Sequence, residues 1–225
     1  MLLTVDEIIR RVRWCVDEEK ANIAELSGVD ENACVYMDNI IKAKMYDALR
    51  WCLQYAPSDL LGNDGSIVTA DQSLVTTATL TITEGTPSVI TLPAGFLRLV
   101  RVRLNNWKKA VMEPIEEDSN KYLEISDATA MATPDRPVAA LIRTEPKKLE
   151  LWPGGTGTAT IELTYVNTPQ YDEASTTDSS TLYVPDKLMG AYLYYIAFLL
   201  MSAYGDSKAS VMLSIAKMNL GLSKE

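Results

Sequence analysis

Histidine is absent from the 225-residue sequence, and cysteine and phenylalanine are scarce, with three and two copies. Without histidine there are no Ser-His or Cys-His dyads and no imidazole zinc ligands, and the commonest general base at neutral pH is missing. Cys15, Cys34 and Cys52 are odd in number and widely spaced, which favours buried thiols over a disulfide framework or a CxxC metal site. Most hydrolase mechanisms are therefore excluded.

Long hydrophobic runs are also missing. The longest, Ala191 to Ala203, is interrupted by tyrosines and Ser202. It is too short for a bilayer core, which needs about 20 residues, so it predicts a buried helix and no membrane partner. Met1 to Arg13 places acids and arginines in a helical pattern and lacks the apolar core of a signal peptide. We expect synthesis and retention in the cytosol.

The charge balance is acidic. The chain has 30 acidic and 21 basic residues, a net charge of -9 and an isoelectric point near 4.7. Because affinity for a duplex comes mostly from Lys and Arg that neutralise phosphates, tight nucleic-acid binding is disfavoured. The apolar fraction of 47% and the charged fraction of 23% are typical of a folded globular protein.

Residues 1-60 are predicted to form the N-terminal helices of a bundle. Thr4 and Glu7 have capping-box spacing at the start of a helix from Thr4 to about Lys20, where apolar residues recur at helical intervals. A second amphipathic helix is predicted over Ala33 to Tyr55, with Pro57 as its stop.

Residues 61-170 change to a β-rich pattern. The segment Ser66 to Thr91 is rich in Thr, Val, Ile and Leu, and a short helix entered through Pro114 is predicted over Glu113 to Tyr122. Turn residues separate four further strand candidates, which are Leu97 to Leu104, Val138 to Thr144, Lys148 to Trp152 and Thr158 to Val166.

Residues 171-225 return to helices. An acidic, Ser/Thr-rich solvated loop is predicted over Asp172 to Ser180, followed by helices over Pro185 to Tyr204 and Ser207 to Leu220. The helices at both ends of the chain have apolar faces, which are buried most simply against each other. The predicted fold class is therefore α+β, a helical bundle from the N- and C-terminal helices with an inserted β-rich module.

No residue set in the sequence indicates a catalytic, cofactor or metal site. Gly154-Gly155-Thr156-Gly157 has no following helix and no Lys-Ser or Lys-Thr pair, so a hairpin turn is favoured over a phosphate loop. Glu113, Glu116, Glu117 and Asp118 are clustered carboxylates, but they lack the alternating turn glycines of a metal loop. A solvated helix face is favoured for them.

A second cluster is basic and contains no acid. It could be a solvated strand face, a protein contact or, less readily, a nucleic-acid contact, because a tryptophan lies among the cations. As candidates for contact with a partner we take Arg98, Arg101, Arg103, Trp107, Lys108 and Lys109.

The order of landmarks along the chain resembles the head-to-tail adaptor proteins of short-tailed bacteriophages, the tail tubular protein A-like connectors. The resemblance covers about residues 4 to 220 and rests on turn and strand motifs. Besides the paired N-terminal helices these are Leu92-Pro93-Ala94-Gly95-Phe96-Leu97-Arg98, Pro114-Ile115, Tyr122, Thr133-Pro134-Asp135-Arg136-Pro137, Leu149-Glu150-Leu151-Trp152-Pro153, Ile161-Glu162-Leu163-Thr164-Tyr165 and Leu182-Tyr183-Val184-Pro185.

This resemblance implies a non-enzymatic virion protein that forms a ring of twelve copies at the neck, below the portal protein. It also implies a downstream tail or nozzle protein as partner, DNA that only passes through the lumen, and no cofactor. In the family the C-terminal helix commonly reaches the portal, which maps here onto Val211, Met212, Ile215, Lys217, Met218 and Leu220.

Three other functions stay open from the sequence. Another neck, collar or tail-barrel ring component would have similar patterning. A carbohydrate-binding module could use Trp107, Trp152 and Tyr165 as an aromatic platform. An acid-base glycosidase would need a pair of carboxylates in a cleft, and the sequence contains no cleft-forming motif.

Overall fold

The structure is a computed structural model and describes residues 1-16, 31-61, 75-82, 86-125, 131-154, 157-168, 177 and 180-222. The chain forms two compact units. The helical unit comprises Met1–Asp71 and Pro169–Glu225, and the β unit comprises Gln72–Thr168. The predicted α+β class, with helices at both ends and a β-rich middle, is confirmed.

The described secondary structure follows the predicted order of helices, strands and helices. Two short 3-10 turns, at Ser58–Leu61 and Asp186–Leu188, accompany the regular elements. The regular elements are β1 (Leu2–Thr4), α1 (Val5–Cys15), α2 (Glu31–Tyr55), β2 (Val75–Ile82), β3 (Ser88–Thr91), β4 (Phe96–Leu104), β5 (Ile115–Glu116), α3 (Asn120–Glu124), β6 (Val138–Ile142), β7 (Lys148–Trp152), β8 (Gly157–Asn167), β9 (Thr181–Tyr183), α4 (Met189–Tyr204) and α5 (Ala209–Asn219).

Helix α1 begins where the sequence predicts. The Thr4 hydroxyl accepts a hydrogen bond from the Glu7 backbone N–H at 3.2 Å, and acids occupy the first turn, where they interact favourably with the helix dipole. The apolar stripe of α1 is buried and consists of Val5, Ile8, Ile9 and Val12. Residues 17-20 of the predicted helix lie outside the described residues.

Strands β1 and β9 form a small antiparallel sheet that the sequence does not predict. Backbone bonds extend the pairing at both ends, from Val5 N to Ser180 O at 3.0 Å and from Val184 N to Met1 O at 2.9 Å. Because α1 directly follows β1, this pairing holds the start of α1 close to the chain that enters α4.

Helix α4 is the centre of the helical unit and packs against α1, α2 and α5. Its apolar residues occur nearly all round, as expected for a helix surrounded by others. Trp51 of α2 stacks on Tyr195 with ring centroids 3.9 Å apart and planes at 5°. The helix ends at Gly205, whose φ of 68° and N–H bonds to Met201 O and Ser202 O form a left-handed cap.

The described residues of the β unit form two sheets, with strand orders β2-β8-β4 and β3-β7-β6-β5. The strand pairs within them are antiparallel except for β5 with β6, which is parallel. Both sheets contribute to one apolar core, whose fully buried members include Leu104, Leu149, Leu151 and Ile161. Ser88 is the polar exception among the described buried residues, and its hydroxyl has no hydrogen-bond partner in that part of the chain.

Two local predictions are wrong. The segment between β7 and β8 is not a hairpin, because β7 pairs with β3 and β6 whereas β8 pairs with β2 and β4 in the other sheet. The short helix begins at Asn120, capped by the Ser119 hydroxyl, and Ile115–Glu116 is a strand. The clustered carboxylates at 113-118 therefore do not lie on a helix face.

Other predictions fall on residues outside the described part of the chain. These are the start of the Thr-rich segment before Val75, most of the solvated loop over Asp172 to Ser180, and the Gly155-Thr156 turn residues. The remaining strand candidates are confirmed as β4, β6, β7 and β8, with ends shifted by at most two residues.

Candidate functional site

The outward face of α5 carries two exposed apolar side chains. The side chains of Val211 and Met218 are 53% and 71% exposed and lie seven positions apart, which places them on the same side of the helix. Met212 and Ile215 are half-buried. Leu220 was predicted to belong to the same docking face, but it is fully buried, so its side chain cannot contact a partner there.

Helix α5 is held on the helical unit through α4. Ala216 and Leu220 are completely buried, and the Asn219 side chain lies against Gly190 in the first turn of α4. On the outer side, the hydroxyls of Ser210 and Ser214 donate to the backbone oxygens of Ser207 and Ser210. Their hydrogen-bonding capacity is thus partly used within the helix, which leaves the exposed methyl and thioether groups as its main contact surface.

The predicted basic cluster is distributed over β4 and the following turn. Arg101 lies 3.7 Å from a Glu162 carboxylate oxygen, and Lys108 lies 2.8 Å from Asp135 Oδ1. Arg103 Nε donates to Trp107 O at 3.4 Å. Two of the predicted cations are therefore paired with exposed acids inside the β unit, which lowers the positive potential that this surface presents to a partner.

The other two cations of the cluster differ in their surroundings. Arg98 is half-buried, and desolvation lowers the pKa of its guanidinium. Lys109 is exposed at the turn after Trp107. The structure brings the cluster onto one strand and its adjoining turn but does not concentrate it into one patch of uncompensated charge.

Trp107 was predicted to contact a partner at the surface, and this prediction is wrong because Trp107 is a core residue. Its side chain is 1% exposed, and its indole N–H donates to Pro153 O at 3.0 Å. The neighbouring Asn106 side chain donates to Gly154 O at 3.1 Å, so the turn after β4 is fixed to the segment after β7. The tryptophan among the cations therefore stabilises the β unit and is not available to a partner.

The predicted aromatic platform is not formed either. Tyr165 is 7% exposed and packs beside Phe96 in the core of the β unit, with ring centroids 5.7 Å apart. Trp152 is half-buried and donates from Nε1 to Glu150 at 3.4 Å. With Trp107 and Tyr165 inside the core, the three rings cannot form one exposed sugar-stacking surface.

Two of the clustered carboxylates, Glu116 and Glu117, contact Arg143 after strand β6. Glu116 pairs with Arg143 at 3.0 Å, and the Arg143 backbone N–H donates to Glu117 at 3.4 Å. Tyr122 of α3 donates its hydroxyl to Glu150 at 2.9 Å, and desolvation, followed by this bond, raises the pKa of Tyr122. In the described part of the chain no group of three or more ligands could hold a metal ion.

A pocket of about 400 Å³, which the sequence does not reveal, lies between α1 and α4. Its exposed rim is Trp14, which is 51% exposed and lies under the Arg10 guanidinium. The Arg11 hydrogen bond lowers the pKa of Glu7 at the pocket wall, and burial raises the pKa of Cys15 to about 11. The lining residues are Glu7, Arg11, Trp14, Cys15, Leu193 and Tyr194.

None of the described helices is long and apolar enough to cross a membrane. No curated protein is significantly similar to the sequence. The sequence does match the SU10 adaptor protein family over residues 3-224, a span that includes both units. The chain therefore belongs to the SU10 adaptor protein family, a family of phage head-to-tail adaptors.

Proposed function

We propose that the protein is a structural component of the virion neck, where copies form a ring of twelve below the portal protein. The ring closes the packaged head, offers a platform for a downstream tail or nozzle protein, and leaves a lumen through which DNA passes. The observation that carries this proposal is the family match over residues 3-224.

The proposed role contains no catalytic step. Two carboxylates of the β unit are engaged in structural contacts: Glu116 with Arg143, and Glu150 with Tyr122 and Trp152. A general acid or base needs a free path to a substrate proton, which these contacts do not favour.

Docking to the portal takes place through α5 in this proposal. Val211, Ile215 and Met218 are spaced as anchors on one side of a helix, which is the pattern of a helix that binds in an apolar groove. The high exposure of Val211 and Met218 supports this role, because their burial in a partner would remove apolar surface from water.

Lateral contacts between copies are assigned to the β unit. Natural sheet edges are usually shortened, bulged or charged so that they do not pair with other chains. Here β3 has only four residues, between Pro87 and Pro93, and β4 has two register irregularities and a bridge from Val102 to Val111. These features protect the edges formed by β3 and β4.

In the part of the chain that the structure describes, strand β2 has no such protection. It has eight residues with no charge and no proline, and among the described residues it pairs with β8 on one side only. Its free edge is therefore the part of the β unit that is best suited to accept main-chain hydrogen bonds from a neighbouring copy. The substitution Thr79→Lys should weaken ring formation, whereas Thr91→Lys, at an exposed position of β3, should not.

The charge distribution supports a lumen that does not hold DNA. The helical unit has 19 Asp and Glu against 11 Lys and Arg, a net charge of -8, whereas the β unit has 11 against 10, a net charge of -1. Cationic contacts repeated around a ring would multiply and retain the duplex, so an acidic protein favours passage.

The deciding experiment is the native mass of the purified protein, alone and mixed with portal rings of the same virus, by light scattering and negative-stain microscopy. A protein that is monomeric alone and forms a ring on the portal supports the proposal. A ring that forms without the portal and does not bind it indicates another collar or tail-barrel component. A monomer that does not bind the portal contradicts an adaptor role for this chain.

A further inference from the structure

We propose that the outward face of α5 binds a protein surface that is apolar at its centre and carries carboxylates at its edge. This inference rests on the proposed docking of α5 and adds the chemical character of the partner. Two independent properties of α5 carry it: the exposed apolar side chains already described, and a local excess of positive charge.

The exposed apolar side chains of α5 follow one side of the helix. Val211, Ile215 and Met218 follow one another at intervals of four and three residues. These three positions form one ridge along the helix, opposite to the side of Ala216 that packs on α4. A matching partner therefore needs an elongated apolar groove of about two helical turns.

The charge along this ridge has the opposite sign to that of the helical unit. No Asp or Glu occurs from Ser207 to Ser223, whereas the unit as a whole has a net charge of -8. Lys208 and Lys217 are exposed, and neither ammonium group forms an ion pair among the described residues. The ridge thus lies between two exposed cations.

The stability of α5 itself does not explain both lysines. Lys217 is in the last turn, where a cation interacts favourably with the helix dipole. Lys208 is at the opposite end, at the N-cap, where a positive charge is unfavourable, and the first turn contains no acid. The Asp206 side chain accepts the Lys208 backbone N–H at 2.8 Å, but it precedes the ridge. A cation that does not stabilise its own helix is better explained by a carboxylate on a partner.

A protein surface fits this charge better than a nucleic acid. Two lysines would neutralise about two phosphates, which gives weak binding, and the net charge of the helical unit repels a polyanion. An acidic protein groove needs only two carboxylates to match the two cations. Such rim charges act mainly on the association rate and on its salt dependence.

The test compares binding of the full-length protein to portal rings at low salt and at about 0.3 M salt, with association and dissociation rates measured separately. The unmodified protein should bind more slowly at the higher salt. The double variant Lys208→Glu/Lys217→Glu should associate about 10-fold more slowly at low salt. Its association should become faster at the higher salt, because salt screens the repulsion between the new carboxylates and those of the partner. The variant Val211→Ser/Met218→Ser should dissociate faster at both salt concentrations.

A matched control, Lys121→Glu/Lys147→Glu, changes the net charge by the same amount at two exposed lysines of the β unit and should bind as the unmodified protein does. Circular dichroism of each variant checks that the helices are intact. If the Lys208→Glu/Lys217→Glu variant associates at the same rate and with the same salt dependence as the unmodified protein, the inference is overturned while α5 docking stays in place. Absence of binding by the unmodified protein contradicts the docking itself and the inference with it.

Two further measurements test the competing classes of partner. The assignment to a protein surface would be overturned if the unmodified protein bound duplex DNA or anionic lipid vesicles as tightly as portal rings and the Lys208 and Lys217 variant lost that binding. Weak binding to both, by the unmodified protein and the variant alike, supports it.

Discussion

Gly190 and Asn219 approach each other so closely that a Cβ atom on Gly190 would lie 3.0 Å from the Asn219 side-chain oxygen and 3.1 Å from Cγ. Gly190 is in the first turn of α4, and Asn219 ends α5. The Asn219 amide also donates to Ile215 O at 3.0 Å, which holds the side chain along its own helix. The missing side chain at Gly190 thus sets how closely the two helices pack.

Replacing Gly190 with alanine tests this contact. Alanine favours a helix over glycine by up to about 1 kcal/mol, but its methyl group must displace Asn219 by a few tenths of an ångström. We expect the two effects nearly to cancel, and we expect Gly190→Ala to stabilise by about 0.5–1 kcal/mol in an Asn219→Ala background. Urea unfolding of the unmodified protein, the two single variants and the double variant measures the coupling free energy between the two positions. Strictly additive effects on the free energy of unfolding would contradict the contact.

The Arg13–Asp38 pair should contribute more to stability than an exposed pair of similar length. Arg13 Nη2 lies 2.6 Å from Asp38 Oδ1, and the two side chains are only 24% and 29% exposed. Asp38→Asn should lower the free energy of unfolding by about 1–2 kcal/mol. The control Asp135→Asn breaks the Lys108 pair, which is 70% and 63% exposed, and should cost less than about 0.5 kcal/mol. Equal losses in urea unfolding would show that burial does not strengthen the first pair.

Trp107 should affect folding and not partner binding. Trp107→Phe removes the indole bond to Pro153 and leaves a small gap in the core, so we expect a loss of about 1–3 kcal/mol in thermal or urea unfolding. Trp14→Phe, at a ring that is 51% exposed, should change stability by less than about 0.5 kcal/mol. The folded Trp107→Phe variant should bind the portal as the unmodified protein does. A loss of binding without a loss of folding would show that Trp107 contacts the partner.

The thiol of Cys15 should react slowly until the pH is strongly alkaline. Burial disfavours the thiolate and raises the pKa of Cys15 from an ordinary value of 9.0 to about 11. The contribution of the neutral Cys15 thiol to the free energy of unfolding is therefore fully present below pH 9 and is lost as the pH rises towards 11. Alkylation rates of the Cys15 peptide, followed by mass spectrometry, should rise with a midpoint near 11 in the native protein and near 9 in concentrated urea. A native midpoint near 9 would contradict the burial of this thiol.

Long periodic elements could be predicted from the sequence because their pattern repeats several times. The apolar stripe that begins at Val5 and the capping residue Thr4 define α1, and a composition rich in strand-forming residues defines β4 and β8. Strands β1 and β9 have three residues each and pair across nearly the whole chain, so neither shows an alternation that could be recognised locally. The start of α3 had a local signal, the capping residue Ser119, but Pro114 gave a competing one.

The candidate surfaces were predicted less completely than the fold. Val211 and Met218 were assigned to a docking face through the family resemblance, and the structure shows that both side chains are exposed. Trp107 was misassigned because it lies among cations in the sequence, whereas its burial depends on the distant Pro153. The pocket beside Trp14 needs α1 and α4 together, and no local pattern relates residues so far apart in sequence.

The insertion of the β unit between the two parts of the helical unit has a consequence for synthesis. A chain made from its N-terminus exposes α1 and α2 well before α4, their common packing partner, leaves the ribosome. The β unit has its own core and is complete once Thr168 has emerged. During translation the apolar surfaces that α1 and α2 present to α4 therefore have no native partner until the β unit has been made.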